Sequence, residues 1–278
     1  ARNLIGFDGD DREAVGVTAS VDDASITAAG LVSLDAESTQ TVNAYVNAVS
    51  VALAMSTKSD SISASGSGVL AENRIATAVE AWMGTAMGAP PLTVVAKNVS
   101  LTAHDKSSID ARAYGVSVAG SFSPKLASGA LSIGVSLARN EIASVVDAHI
   151  QNCAVTATAG SVDVNAFDEA TITAYATAIS VAVSWSSTFA GIALSGAGAE
   201  GTNIITNKVR AFVNRGIVTA SNSVTVAATS SPTITAYIGA MSVAGGIGEG
   251  GAAGSLGVSL ARNLIGFDGD DREAVGVT

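Results

Sequence analysis

Hydrophobic and polar residues alternate along most of the chain, which is the pattern of β-strands with two distinct faces. One such segment begins at Val42, and its even positions up to Ser50 carry small or apolar side chains that would let two sheets approach closely. Its odd positions change from polar at Asn43 to apolar at Val49 and Val51. The end of this strand is therefore predicted to be covered on both sides, by another segment of the same coil of chain or by a neighbouring molecule.

This long strand pattern occurs four times, as VNAYVNAVSVA, IDARAYGVSVA, ITAYATAISVA and ITAYIGAMSVA. Sustained helical spacing of apolar residues is scarce, and alanine alternates with valine, threonine or serine. Only 14% of the residues are charged, whereas a typical soluble domain carries about 25%. The sequence therefore predicts an all-β fold.

The amino-acid sequence contains a long exact repeat. Residues 1–18, ARNLIGFDGDDREAVGVT, recur without change as residues 261–278. This identity predicts a tandem array with a period of 260 residues, and such periods are typical of solenoids and related arrays. The chain begins with Ala1 and not methionine, so we expect it to be a piece of a longer protein.

A shorter repeat lies inside the long one. The motif Asn-x-(Ile/Val) occurs at spacings of 70, 67, 67 and 56 residues, beginning at Asn3, Asn73, Asn140, Asn207 and Asn263. It divides a single continuous array, residues 1–278, into units at 3–72, 73–139, 140–206 and 207–262, and residues 261–278 restart the series. Each unit of about 65 residues is predicted to form one coil of a parallel β-solenoid, with four coils per long repeat.

Two columns of side chains follow from this stacking, because equivalent residues on successive coils lie about 4.8 Å apart. The asparagines form either an amide ladder or a set of bends. Tyr45, Tyr175 and Tyr237 share a second column, in which the second unit has Arg112 and moves its tyrosine to Tyr114. This column is either a ring and cation–π stack or, as we favour, a row of amphipathic residues at a half-exposed site.

A third landmark is a dipeptide between alternating apolar runs. It ends in Gly30, Asn98, Gly160 and Asn222 in the four units. Glycine and asparagine tolerate positive φ, but only the second position has this signature, whereas a tight type I′ hairpin needs it at both. We therefore favour a corner with one left-handed residue, between strands that do not pair with each other, over a hairpin.

One acidic cluster could bind a cation. Asp8, Asp10, Asp11 and Glu13 surround a glycine, and Ca²⁺ prefers several closely spaced carboxylate oxygens. The segment lacks the full EF-hand pattern and contains Arg12. A solvated acidic loop is the favoured interpretation, and a calcium site is the alternative.

The histidines and other reactive residues of the sequence form no catalytic motif. His104 and His149 lie in different units without a nearby nucleophile, and no G-x-S-x-G segment is present. The net charge of −10 makes nucleic acid and anionic membrane surfaces unfavourable partners. Apolar runs are interrupted before they reach the ~18 residues of a membrane-spanning helix. We therefore predict a protein without catalytic residues, resident cofactor, nucleic-acid partner or membrane insertion.

The repeated columns resemble the giant Ala/Val/Ser/Gly-rich tandem-repeat proteins of bacterial surfaces and, more loosely, the β-solenoid repeats of filamentous haemagglutinins. The units here are about 65 residues long rather than roughly 20, which favours wide, flattened coils with long strands. The resemblance implies secretion, a cell-surface or extracellular location, and a fibre, filament or adhesin shaft that associates with itself end to end and possibly laterally. An adhesin module that binds glycan or Ca²⁺ through residues 6–14 and 83–91 is the alternative, and a β-helical polysaccharide-active enzyme is a weaker third.

Overall fold

The computed structural model of the chain describes residues 1–86 and 88–267, in which strands alternate with turns and no helix occurs. In chain order the strands are β1 (Arg2–Ile5), β2 (Phe7–Asp8), β3 (Asp11–Arg12), β4 (Val15–Asp22), β5 (Ile26–Thr27), β6 (Leu31–Ser38), β7 (Thr41–Met55), β8 (Ser61–Ile75), β9 (Thr77–Gly84), β10 (Leu92–Ala96), β11 (Asn98–Asp105), β12 (Ser108–Ser123), β13 (Ser128–Ile142), β14 (Val145–Gln151), β15 (Cys153–Ala157), β16 (Val162–Asp168), β17 (Thr171–Ser186), β18 (Gly191–Ile205), β19 (Lys208–Asn214), β20 (Ile217–Ala220), β21 (Val224–Ser230), β22 (Thr233–Ile247) and β23 (Ala252–Ile265).

Strands five apart in the chain lie side by side and run parallel, except that β1 pairs with β8, because the hairpin strands β2 and β3 come between them in the chain. They form sheet I (β1-β8-β13-β18-β23), sheet II (β4-β9-β14-β19), sheet III (β5-β10-β15-β20), sheet IV (β6-β11-β16-β21) and sheet V (β7-β12-β17-β22). One coil therefore visits sheets II, III, IV, V and I in turn, and the next coil stacks on it through main-chain hydrogen bonds. The predicted parallel β-solenoid is confirmed, with five strands per coil.

The two ends of the long repeat occupy equivalent places in this stack. Arg2–Ile5 pairs with residues 72–75 at one edge of sheet I, and Arg262–Ile265 pairs with residues 202–205 at the other edge. The segments have the same sequence and the same register along the strand direction of sheet I. Four complete coils separate them along the stack, so the chain then begins the same path again.

Each coil has two parts of different shape. Sheets II, III and IV, with strands of two to eight residues, enclose a core of larger side chains that includes Met83, Val94 and Leu101; we call this part the body. Sheets I and V lie face to face over strands of up to 16 residues, about 50 Å, and we call this pair the blade. Ile75, Ile142 and other isoleucines fill the junction between body and blade.

The blade is thin because its inner face carries alanine, serine and glycine. Ala113, Ala138 and Ala176 are buried between its two sheets. A Cβ added to Gly115 would lie 2.7 Å from the carbonyl oxygen of Val135 on the facing sheet. Side chains this small bring the two backbones close together, as the even positions after Val42 predicted.

The predicted corners separate strands of sheet III from strands of sheet IV, which confirms a solenoid bend over a hairpin. The predicted left-handed residues there are wrong, because positive φ occurs neither at Gly30 and Gly160 nor at Asn98 and Asn222. Glycine is needed at position 160 for a different reason: the side chain of Asn98 on the neighbouring coil lies against it, and a Cβ at Gly160 would be 1.8 Å from the Asn98 side-chain oxygen.

Asn98 itself lies one residue beyond the corner. It pairs with Leu31, and its side-chain oxygen accepts a hydrogen bond from the main-chain N–H of Ser161 at 3.1 Å. The left-handed residues are found at the preceding corner, between sheets II and III. Asp23, Asn152 and Arg215 have φ values of 52°, 47° and 51° there.

Candidate functional site

Asparagine side chains form a continuous ladder at the base of the blade. The Nδ2 group of each donates to the Oδ1 atom of the next at 2.7–2.8 Å, through Asn3, Asn73, Asn140, Asn203 and Asn263. The middle three residues are fully buried. The amide ladder is therefore present, and it has a direction, with every donor pointing towards the later coil.

Asn207 was predicted for the fourth position of this ladder and is not part of it. The hydrogen-bonded residue is Asn203, so the true spacings are 70, 67, 63 and 60 residues, and the coil equivalent to the predicted unit 207–262 starts four residues earlier. The signal was available, because Asn203 is followed at the second position by isoleucine, as in the other four units, whereas Asn207 is followed there by Val209.

Asn207 belongs to a second, buried polar group. Its Nδ2 group donates to Asp168 at 2.7 Å, and its Oδ1 atom accepts from the main-chain N–H of Ser144 at 2.8 Å. Asp168 is the stacking partner of Asp105, and both are buried. Burial raises the pKa of Asp168, while hydrogen bonds from Ser230 and Asn207 oppose the increase. This pair was not predicted from the sequence, although the signal was available: Asp168 continues the inward-facing alternation of Val164 and Ala166 along β16.

Serine hydroxyls form a second ladder inside the blade, and the sequence patterns did not predict it. It joins six serines of alternating sheet by five contacts, with oxygen–oxygen distances of 2.9–3.0 Å, through Ser195, Ser180, Ser132, Ser117, Ser65 and Ser50. Each hydroxyl can donate to one neighbour and accept from another. The ladder satisfies polar groups that are otherwise shut away from water between two sheets.

The tyrosine column has the predicted register. Arg112 pairs with Tyr45 on one side and with Tyr175 on the other, and Tyr175 pairs with Tyr237. The last two rings are stacked with centroids 5.0 Å apart, and the Arg112 guanidinium lies 5.3 Å from the Tyr175 ring centre. Tyr114 tilts against Tyr45 at 5.7 Å. Tyr45 and Tyr237 are exposed, whereas Tyr114 and Tyr175 are half-buried, so the stack and the half-exposed site occur together.

The acidic cluster forms part of a small hairpin that leaves the stack between β1 and β4. Asp8 and Asp11 face each other across it. Asp10 forms ion pairs with Arg2 at 2.7 Å and with Arg74 at 3.6 Å. The hairpin also places the ring of Phe7 4.0 Å from the Arg74 guanidinium. Its observed contacts are therefore with arginines of the base of sheet I.

These contacts do not support the calcium alternative. Within residues 1–86 and 88–267, no three His, Cys, Asp or Glu side chains are grouped so that they could hold a metal ion, and this includes Asp8, Asp10, Asp11 and Glu13. The duplicate of the cluster, at residues 268–273, lies outside the described residues.

An aromatic column lies on the outer side of sheet II. The imidazole of His149 is stacked between Trp82, with ring centres 5.7 Å apart, and Phe212, with ring centres 4.8 Å apart. Burial lowers the pKa of His149, Arg210 lowers it further, and the carboxylates of Asp147 and Glu80 oppose the shift. The Nδ1 atom is buried and has no hydrogen-bond partner among the described residues.

We expect this column to make the protein less stable in mild acid. Because the pKa of His149 is lower in the folded state, the unfolded chain binds the proton more tightly. The contribution of neutral His149 is complete above the ordinary histidine pKa and is lost as the pH falls from there through the lowered value. Urea unfolding at pH 7.5 and pH 5 measures the loss, and His149→Phe should reduce it. An equal pH dependence in the variant would contradict this assignment.

His104 is not part of a catalytic arrangement with His149, since the two lie in sheets IV and II. Its Nε2 atom is 3.1 Å from a carboxylate oxygen of Glu169, and its ring contacts Phe167 edge-on. None of the described residues forms a helix long and apolar enough to cross a membrane.

The fold and its ladders define a parallel β-solenoid with a body and a blade. No family model, no curated protein and no solved structure matches the chain.

Proposed function

We propose that this chain is a structural repeat module of an extracellular or cell-surface fibre, filament or adhesin shaft, and that successive blocks associate end to end by continuing the β-stack. The observation that carries the proposal is the equivalence of Arg2–Ile5 and Arg262–Ile265 at opposite edges of sheet I. A following block can add to the last coil in the register in which the first coil begins.

Three features of the stack support this mechanical role. Main-chain hydrogen bonds would continue in sheets I to V, so that no sheet edge remains open between blocks. The asparagine ladder would extend without interruption, because Asn263 occupies in the next block the position that Asn3 has in this one. The small side chains of the blade give modest burial per coil, so stability should accumulate along the array.

The length of tandem chains tests this proposal. Fusing one, two, four and eight 260-residue blocks in the natural register should give rods that lengthen by about 19 Å per block, because four coils rise about 4.8 Å each. The cross-section should stay constant, and the urea midpoint should rise with block number. Electron micrographs and unfolding curves provide the two readouts.

A loop insertion provides the control. Twenty Gly/Ser residues inserted in the turn between β22 and β23 would project from the stack as a loop. They should therefore alter neither the rise per block nor the urea midpoint of unfolding. Particles spaced like separate beads, or a rise per block much larger than about 19 Å, would contradict end-to-end stacking.

A further inference from the structure

Two buried carboxyl groups lie on adjacent coils at the junction between body and blade. Asp105 ends β11 and Asp168 ends β16, where the chain leaves sheet IV for sheet V. The two residues are partners in the parallel register, so their side chains occupy neighbouring places in one column of the stack. Asp105 is 0% exposed and Asp168 is 1% exposed. Water therefore does not screen the two groups, and in such surroundings two like charges are unfavourable.

Side chains from the opposite wall of the junction hold each carboxyl group. Thr77, at the start of β9, donates to Oδ1 of Asp105 at 3.2 Å. Asn207, just before β19, donates to Oδ1 of Asp168 at 2.7 Å. Both donors lie where the chain passes from sheet I to sheet II. The carboxyl pair thus joins the two places at which each coil crosses between body and blade.

The charged side chains of the surrounding strands and turns do not neutralise the pair. Within residues 1–86 and 88–267, no lysine, arginine or histidine forms an ion pair with Asp105 or Asp168. The charged groups that have other partners are Glu37 with Lys106, His104 with Glu169, Asp110 with Arg112, and Asp147 with Arg210. The remaining titratable groups of these strands lie on the outer faces of sheets II and IV, and they are Asp35, Glu80, His149, Asp163 and Lys208.

One oxygen of Asp105 lacks a partner. Its Oδ1 atom accepts from Thr77 and from the Ser107 hydroxyl at 2.7 Å, but the buried Oδ2 atom has no hydrogen-bond partner among the described residues. The Ser38 hydroxyl, the neighbour of Asp105 in the column, is also buried without a described partner. An unpartnered buried carboxylate oxygen is costly. Ca²⁺ and Mg²⁺ need about six oxygen ligands, and two unpartnered oxygens are too few, so a proton fits this place better than a metal ion.

We propose that Asp105 and Asp168 hold one proton between them in a pH range in which exposed aspartates are ionised. With the proton on Asp168, its O–H can donate to Oδ2 of Asp105, which remains the anion that Thr77 and Ser107 hold. Two carboxyl groups placed in this way titrate as a pair. The inference concerns the interior of a single block, so it does not depend on end-to-end association.

The shared proton gives the junction a pH dependence opposite in direction to that of His149. Burial raises the pKa of Asp168, and the charge of Asp105 adds to the increase. The folded chain therefore binds this proton more tightly than the unfolded chain does. The stabilising contribution is complete below the ordinary aspartate pKa and is lost as the pH rises from there through the raised value. Above that value two adjacent buried carboxylates repel each other and should weaken the junction.

Asp168→Asn tests the inference, because asparagine has the shape of the protonated acid and offers an N–H donor to Oδ2 of Asp105. We compare it with its parent in a His149→Phe background, by urea unfolding at pH 5 and pH 8. The ratio of the unfolding equilibrium constants, parent over variant, should increase at least about tenfold from pH 5 to pH 8, since one pH unit of retained proton corresponds to a factor of ten. Asp163→Asn, on the outer face of the same strand, is the matched control and should leave this ratio constant.

Infrared spectroscopy gives a second readout, which a purely structural role of Asp168 would not produce. At pH 6 the unchanged chain should show the C=O band of a protonated carboxylic acid, which Asp168→Asn removes and Asp163→Asn retains. Absence of the band from the unchanged chain would overturn the inference without any variant, and so would an equal ratio at the two pH values. Stabilisation of the unchanged chain at pH 8 by CaCl₂ over NaCl of equal ionic strength, lost in Asp168→Asn, would assign the pair to a cation instead.

Discussion

Replacing Asn140 with alanine should lower the free energy of unfolding by about 2 to 4 kcal/mol. Asn140 is fully buried in the middle of the asparagine ladder, where it accepts from Asn73 and donates to Asn203 at 2.8 Å each. Alanine removes both contacts and leaves a donor and an acceptor without partners, and each unsatisfied buried group costs about 1–3 kcal/mol. Urea unfolding followed by circular dichroism measures the change.

Asn47→Ala is the control for this substitution. Asn47 lies on the exposed face of β7, where loss of an amide should change stability by less than about 0.5 kcal/mol. If the two variants unfolded at the same urea concentration, the ladder would be a consequence of the stacking and would not contribute to its stability.

Replacing Gly115 with valine should destabilise the protein by about 3 kcal/mol. A Cβ at this position would lie 2.7 Å from the carbonyl oxygen of Val135 and 3.5 Å from the Val69 side chain. The obstacle is main chain of the facing sheet, so the two sheets of the blade would have to move apart. That movement would also lengthen the bonds of the nearby serine ladder, including the 3.0 Å contact between Ser117 and Ser65.

Gly239→Val is the matched control, because Gly239 lies on the same sheet but a Cβ there meets nothing within 4 Å. Valine suits strands better than glycine does, so this variant should be as stable as the unchanged chain or slightly more so. Thermal and urea unfolding of the two variants measure the difference. Equal destabilisation would mean that close approach of the sheets is not the reason for glycine at position 115.

The sequence was sufficient to predict a stack of parallel coils, because in a solenoid equivalent residues recur at intervals of one coil length. Tyr175 and Tyr237 recur at the same place in the long strand motif, so their stacking partners could be assigned without coordinates. The register failed at Asn207 because coil lengths differ and a second asparagine lies four residues from the correct one. Averaging the spacing near 65 residues could not choose between them.

The corners and the blade surface needed the structure. Gly160 was attributed to backbone conformation, but its reason is the neighbouring side chain of Asn98 on another coil. Val49 and Val51 were predicted to be covered on both sides, but in the structure they are 70% and 61% exposed, so no other segment of the coil covers them. Contacts between coils are not visible in a local pattern.

The return of the chain to its starting place after four coils has a consequence for the length of the array. In the proposed tandem array the first and last strands of a block are interchangeable, so duplication or loss of a whole block creates no new kind of junction. The length of such a rod can then change by four coils at a time while every junction keeps the same geometry. Gain or loss of a single coil lacks this freedom, because the four coils of a block differ in length and in their loops.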